Sequence, residues 1–183
     1  MKATRTTSRS ILFCLSLLIF LNAAAQNSSL NFHKIGLQDG LHDGIVRCIG
    51  QDKYGYIWIG TVGALNRFDG KTVKHFTNIA GDTTSPYTSQ PRTIHSDNKG
   101  RLWIGYETGL TEFNFNNSTF RRIPLFKDLY IQKIVSYGDS VLYIATNPGF
   151  IRYNINTSEV FNYGLSSRLA HEVLKRNNVN DVI

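Results

Sequence analysis

A frame of spaced residues occurs twice in this chain, 45 residues apart, and it limits the possible folds more than any other feature. Trp58-Ile59-Gly60 returns as Trp103-Ile104-Gly105. Asp52 and Asp97 stand six residues before each Trp, and Gly55 and Gly100 stand three before. Leu65 and Leu110 follow by seven, and Phe68 and Phe113 by ten. A third copy is weaker. Tyr143-Ile144-Ala145 takes the Trp-Ile-Gly place 40 residues further on, with Phe150 and Tyr153 at the same later offsets and Gly138-Asp139-Ser140 at the turn. A period of this size with strand-like content means small sheets stacked as an array. We therefore expect an all-β chain, a partial β-propeller of about three four-stranded blades. The blades span 42–77, 88–122 and 130–162. A further unit begins near residue 178, where Asn178–Ile183 follows the pattern of Gly44–Ile49.

Each copy reads as four short strands. In the first, Ile45–Gly50 is apolar, Tyr56–Gly60 is rich in aromatic and β-branched residues, and Leu65–Phe68 and Val73–Phe76 complete the set. Asp52-Lys53-Tyr54-Gly55 is a turn, because Asp bonds its own backbone two residues on and Gly accepts a positive φ. Asp69-Gly70 is a tight hairpin signal. Asn116-Asn117-Ser118 and Asn156-Thr157-Ser158 fill the matching turn in the later copies. Trp58, Trp103 and Tyr143 supply the bulk that stacks one sheet on the next. Gly60 and Gly105, two residues later, let a neighbouring strand approach closely. Asp52, Gly55, Asp97 and Gly100 are thus turn residues rather than metal ligands or catalysts.

The first 25 residues have the layout of a secretory signal peptide. Lys2, Arg5 and Arg9 precede an apolar run over Ile11–Leu21, and Ala23-Ala24-Ala25 offers a small-residue cleavage site before Gln26. The run is too short to span a membrane, which takes about 20 residues. Residues 26–183 then form the incomplete propeller, exported to the periplasm. The net charge of +7 falls to +4 without the three basic residues of that segment. Adjacent basic pairs occur only at Arg121-Arg122 and Lys175-Arg176. A basic stripe for nucleic acid is not present. Cys48 alone remains after processing, so no internal disulfide forms, and its apolar strand makes it a small buried hydrophobe. Propellers close with about 4 to 8 blades, so we expect the start of a longer array and no stable folding of this segment alone.

Familiar catalytic patterns are missing. The histidines His33, His42, His75, His95 and His171 form no His-x-His or His-x-x-x-His pair, so no metal site is expected. There is no Gly-x-Ser-x-Gly elbow and no Gly-rich phosphate loop. Neither a catalytic residue nor a cofactor is assigned, and the fragment is read as non-enzymatic.

The string from Gly40-Leu41 through Ile49-Gly50-Gln51-Asp52-Lys53-Tyr54-Gly55-Tyr56-Ile57-Trp58-Ile59-Gly60-Thr61 to Leu65-Asn66-Arg67-Phe68-Asp69-Gly70 resembles the two-component regulator propeller repeat. The resemblance runs from about Leu30 to Ile183 and weakens in the third copy. It implies the periplasmic sensor region of a Bacteroides-type hybrid two-component histidine kinase. In that family two propellers and a β-sandwich precede a membrane helix, a kinase, a receiver and often a DNA-binding domain. The implied ligand is an oligosaccharide, the implied output is control of polysaccharide-use genes, and the implied parent is a homodimer anchored in the inner membrane. This chain would be its N-terminal fragment. An exported propeller lyase or hydrolase acting on glycans is the alternative reading, and a protein-binding propeller is another. By analogy with other propellers, ligands meet the loops between second and third strands and those entering first strands. Those loops make His42, Tyr106, Glu107 and Asn147 the candidate ligand residues. Tyr106 would stack on a sugar ring, and Glu107 and Asn147 would bond hydroxyls.

Overall fold

Alternation sends successive side chains to opposite faces of a strand, and along Leu102–Tyr106 in the middle sheet both faces are buried. A computed structural model describes residues 32–147 and 149–163. The targeting segment and the unit expected near residue 178 lie outside those residues. The described chain forms three four-stranded antiparallel sheets, each a simple meander. The first holds β1 (Val46–Gln51), β2 (Ile57–Thr61), β3 (Leu65–Phe68) and β4 (Val73–Phe76). The second holds β5 (Pro91–Ser96), β6 (Leu102–Tyr106), β7 (Gly109–Asn114) and β8 (Thr119–Ile123). The third holds β9 (Ile131–Tyr137), β10 (Val141–Thr146), β11 (Phe150–Asn154) and β12 (Val160–Tyr163). The only helical pieces among the described residues are short 3-10 turns at Leu37–Asp39 and Pro124–Phe126. None of the helices there is long and apolar enough to cross a membrane. The expected all-β blade architecture is what forms.

Two cores lie between the sheets. Trp58, Leu65, Phe76, Ile94, Leu102, Ile104, Tyr106, Phe113 and Phe120 fill the space between the first and second. Trp103, Leu110, Ile123, Ile131, Ile134, Leu142 and Ile144 belong to the core between the second and third. Along β6 the odd and even residues serve different cores. Leu102, Ile104 and Tyr106 face one neighbour while Trp103 faces the other. A two-residue side-chain period sandwiched between two sheets does this automatically. Both tryptophans are fully buried. The Trp58 ring lies 4.7 Å from that of Phe113 and 5.4 Å from that of Phe76. Each such ring contributes about 1.5–3 kcal/mol through burial.

The glycine two residues past each Trp is where the next sheet comes closest. A Cβ on Gly60 would overlap the Cys48 sulfur and sit 2.8 Å from Pro91 Cγ. A Cβ on Gly105 would sit 2.5 Å from Ile131 Cγ2. Pro91 opens β5 and Ile131 opens β9, so each glycine receives the first strand of the following blade. The first strands β1, β5 and β9 contact one another in turn and form the inner edge of the array. The fourth strands diverge outward.

Candidate functional site

The meander sends its turns to two opposite ends. The β1–β2 and β3–β4 connections lie at one end, and the β2–β3 connections and inter-blade loops lie at the other. At the second end, the inner strand of every blade carries an irregularity in the same place. The pairing slips by one residue between Val46 and Cys48, between Pro91 and Thr93, and, opposite Ala145 and Thr146, between Ile131 and Lys133. The inserted residues are Arg47, Arg92 and Gln132. A bulge leaves one residue out of the ladder and re-aims its side chain, and such devices concentrate next to functional sites. Three at one register place a polar donor from each blade at the inner rim.

Arg92 is the best defined of these. Its guanidinium forms an ion pair with Glu107 and lies 5.4 Å from the centre of the Tyr130 ring. The hydrogen bond to Glu107 pushes the Arg92 pKa further up. Tyr130 also accepts the Asn147 N–H at its carbonyl, at 3.3 Å. Glu107 and Asn147, both expected as ligand residues, therefore meet in one patch around Tyr130. Both are exposed. The loops beneath are tied together. The Asp128 N–H donates to Thr108 O at 2.9 Å, and the Gly63 N–H donates to Ser89 O at 3.2 Å. Arg92 and Tyr130 were not anticipated. The matching position of Arg47 and Arg92 in the repeat, one before Cys48 and Thr93, was the available signal.

Two expected ligand residues sit elsewhere. Tyr106 is fully buried in the core between the first two sheets, and burial pushes its hydroxyl pKa up. Its ring has no free face for a sugar, so the stacking role is corrected. The cause is its phase: it shares the face of Leu102 and Ile104, opposite to Trp103, and the strand runs one residue further than the loop reading assumed. His42 is exposed and lies beside the β2–β3 turn of the first blade, where a Cβ on Gly63 would come within 2.9 Å of its ring. Its N–H donates to Asn66 Oδ1 at 3.2 Å, and its ring meets that of His75 edge-on at 5.7 Å. Asn66 Oδ1 also lies 2.9 Å from His75 Nδ1. Asn66 is fully buried and donates through Nδ2 to Ile59 O at 3.0 Å, which fixes this small polar cluster.

At the opposite end the repeat residues form turns and more. Asp52 Oδ1 accepts the N–H groups of Tyr54 and Tyr56 at 2.9 and 3.1 Å, while Oδ2 accepts the Trp58 indole N–H at 2.7 Å. Asp97 repeats this with Lys99, Arg101 and Trp103 and adds the Arg101 guanidinium at 2.6 Å. Burial pushes the Asp97 carboxyl up, but the bonds from Trp103 and Arg101 outweigh it and hold the group below its ordinary pKa. Tyr143 has no indole N–H, and the third copy has no aspartate six residues before it. Among the described residues no group of three or more His, Cys, Asp or Glu side chains is placed to hold a metal. Burial pushes the Cys48 thiol up to about 11, against the weaker pull of Arg47 and Arg92.

Residues 40–63 match the two component regulator propeller family. Over 61 residues the chain is 46% identical to Histidine kinase P4 of Formosa agariphila, a stretch covering 33% of this chain and 4% of that protein. The extracellular domain of a hybrid two component system from B. thetaiotaomicron superposes with a TM-score of 0.62 at 22% identity, over 74% of this chain and 20% of that one. A second extracellular domain from the same organism gives 0.60 at 17%, over 77% and 20%. Virginiamycin B lyase from Staphylococcus aureus gives 0.51 at 16%, over 70% and 44%. The chain thus spans a small part of the histidine kinase and less than half of each of these structures. Identities this low carry the fold and not the activity. The chain has the fold of a β-propeller segment, and within it residues 40–63 match the two component regulator propeller repeat.

Proposed function

We propose that this segment is part of the extracytoplasmic input domain of a hybrid two-component sensor, exported to the periplasm and held to the inner membrane by a longer parent. It receives oligosaccharide fragments at the inner rim and thereby controls polysaccharide-use genes. The observation that carries this reading is the repeat at residues 40–63 together with the 46% identity to a histidine kinase over 61 residues. The inner rim supports it as the receiving surface. Arg47, Arg92 and Gln132 repeat at one register there, and Glu107 and Asn147 stand exposed around Tyr130. Charged and amide groups of this kind donate to and accept from sugar hydroxyls. Signalling follows when the ligand binds one arrangement of a homodimer better than another.

Calorimetry on the full encoded polypeptide with a panel of plant and host oligosaccharides tests the reading. One member of the panel is expected to bind, and Glu107→Ala with Asn147→Ala is expected to weaken it about tenfold, near the 1.4 kcal/mol that removing charged hydrogen bonds brings. Tyr106→Phe is expected to leave affinity unchanged. Affinity untouched by the Glu107 and Asn147 changes removes this surface from the proposal.

A further inference from the structure

The end of the array opposite the inner rim carries a second feature that the sensor reading does not use. A cleft of about 320 Å³ opens between the first and second blades, at the end of the β1–β2 and β7–β8 turns. That is the size of a small-ligand pocket rather than of a protein interface. One wall is aromatic. Tyr54 is 61% exposed although its ring meets Phe115 edge-on at 5.2 Å. Lys53 Nζ stands 5.1 Å from the Tyr54 ring centre and 5.3 Å from that of Phe115. Its aliphatic stem crosses Gly100, where a Cβ would overlap Lys53 Cδ. The repeat glycine of the second blade thus seats the lysine of the first.

The other wall is polar. Glu112 Oε2 accepts the Arg121 Nε–H at 3.1 Å, and Asn116 is exposed beside them. Arg101 also lines the cleft but is occupied by Asp97 at 2.6 Å. Glu112 and Asp97 balance the two arginines, so Lys53 is left as the cation without an ion pair among the lining residues.

We propose that this cleft is a binding site for an acidic sugar ring, one that carries a carboxylate or a sulfate ester. An exposed tyrosine face suits the apolar side of a pyranose. Asn116 and the Glu112–Arg121 pair suit ring hydroxyls. Lys53 supplies the point charge that separates an acidic ring from a neutral one. The site shares no residue with the inner rim, so it stands or falls independently of the receiving surface proposed there.

The test is titration of the full encoded polypeptide with a galacturonate disaccharide and with the matching neutral galactose disaccharide, followed by calorimetry and by amide chemical shifts. The uronate is expected to bind and to shift the amides of Lys53–Gly55 and Phe115–Asn116. Lys53→Met keeps the stem over Gly100 and removes the charge. It is expected to weaken the uronate about five- to tenfold, as loss of a charge-assisted contact does, and to leave the neutral sugar unchanged. Tyr54→Ala is expected to weaken both. Equal binding of the two sugars, no binding of either, shifts confined to the other end, or a Lys53→Met variant that binds the uronate like the parent would each overturn the proposal. A titration abolished by Glu107→Ala and untouched by Lys53→Met would assign the ligand to the inner rim instead.

Discussion

A buried indole N–H needs an acceptor, and leaving it unpaired is expensive. That requirement explains the six-residue Asp-to-Trp spacing better than turn formation does. The turn itself uses only one carboxylate oxygen of Asp97. The other accepts the Trp103 indole N–H at 2.9 Å inside the core. The aspartate thus joins turn and core in one side chain, 7% exposed. Asp97→Ala should lower stability by roughly 3 kcal/mol, the range for a buried donor and several charged hydrogen bonds left unmet. Asp139→Ala, at the equivalent turn of the third blade, should change it by less than about 0.5 kcal/mol, because that carboxylate is exposed and its ion pair, with Lys99 at 2.8 Å, is exposed too. Urea denaturation of both variants checks the contrast; equal losses would mean that the turn alone matters. The spacing was visible in the sequence and its turn role was legible. The indole bond was not, since nothing in a linear string says that the second oxygen points inward.

At the level of strands, alternation and turn chemistry located most of the elements. Leu65–Phe68 and Val73–Phe76 form where hydrophobic content and Asp69-Gly70 put them. The first two strands begin one residue later than their composition implied, at Val46 because Asp43 Oδ1 takes the Ile45 N–H, and at Ile57 because Asp52 Oδ1 holds the Tyr56 N–H inside the turn. Tyr106 was misplaced for a related reason: β6 runs through it, and phase with Leu102 and Ile104 decides its direction. Contacts between strands of different blades, beyond the stacking tryptophans and the close approach at Gly60 and Gly105, were out of reach. One of these contacts is sensitive to pH. His95 on β5 accepts the Ser136 N–H at 3.1 Å through Nε2, with Ser136 Oγ 2.9 Å away on β9. Protonation removes that acceptor. Burial lowers the His95 pKa, Asp97 opposes the shift, and Lys133 adds to it. Because the folded value lies below the unfolded one, the unfolded chain takes up the proton first. The junction therefore contributes fully above about pH 6.5 and weakens as pH falls below it. The melting temperature of the parent should drop between about pH 7.5 and 5.5 more than that of His95→Gln, whose amide oxygen keeps an acceptor without titrating. Parallel curves would show that the proton does not reach this contact.

Across the whole array, each blade has one face that meets the blade before and one that meets the blade after. Trp58 and Trp103 fill the second kind of face on the first two blades, and both are fully buried. Tyr143 occupies that place on the third blade, paired across the sheet with Val135 and Arg152, and it is 37% exposed. Around it Val135, Tyr137, Phe150 and Tyr163 are between 43% and 70% exposed. The Phe150 and Tyr163 rings stack at 4.5 Å, and Tyr137 lies 6.4 Å from Tyr143. Singly exposed apolar residues are ordinary, but a contiguous aromatic patch marks a surface made to be covered. On the first two blades the same register is covered by the next four-stranded sheet. Expressed as residues 32–163 alone, the segment should therefore bind a hydrophobic dye such as ANS and self-associate. Tyr137→Lys with Tyr143→Lys should raise the monomer fraction in light scattering, because charge on such a surface opposes association. The melting temperature should hold within a few degrees, as neither ring sits in a core. A segment that stays monomeric with no dye bound, or a double variant that unfolds, would mean that this face is already closed from within.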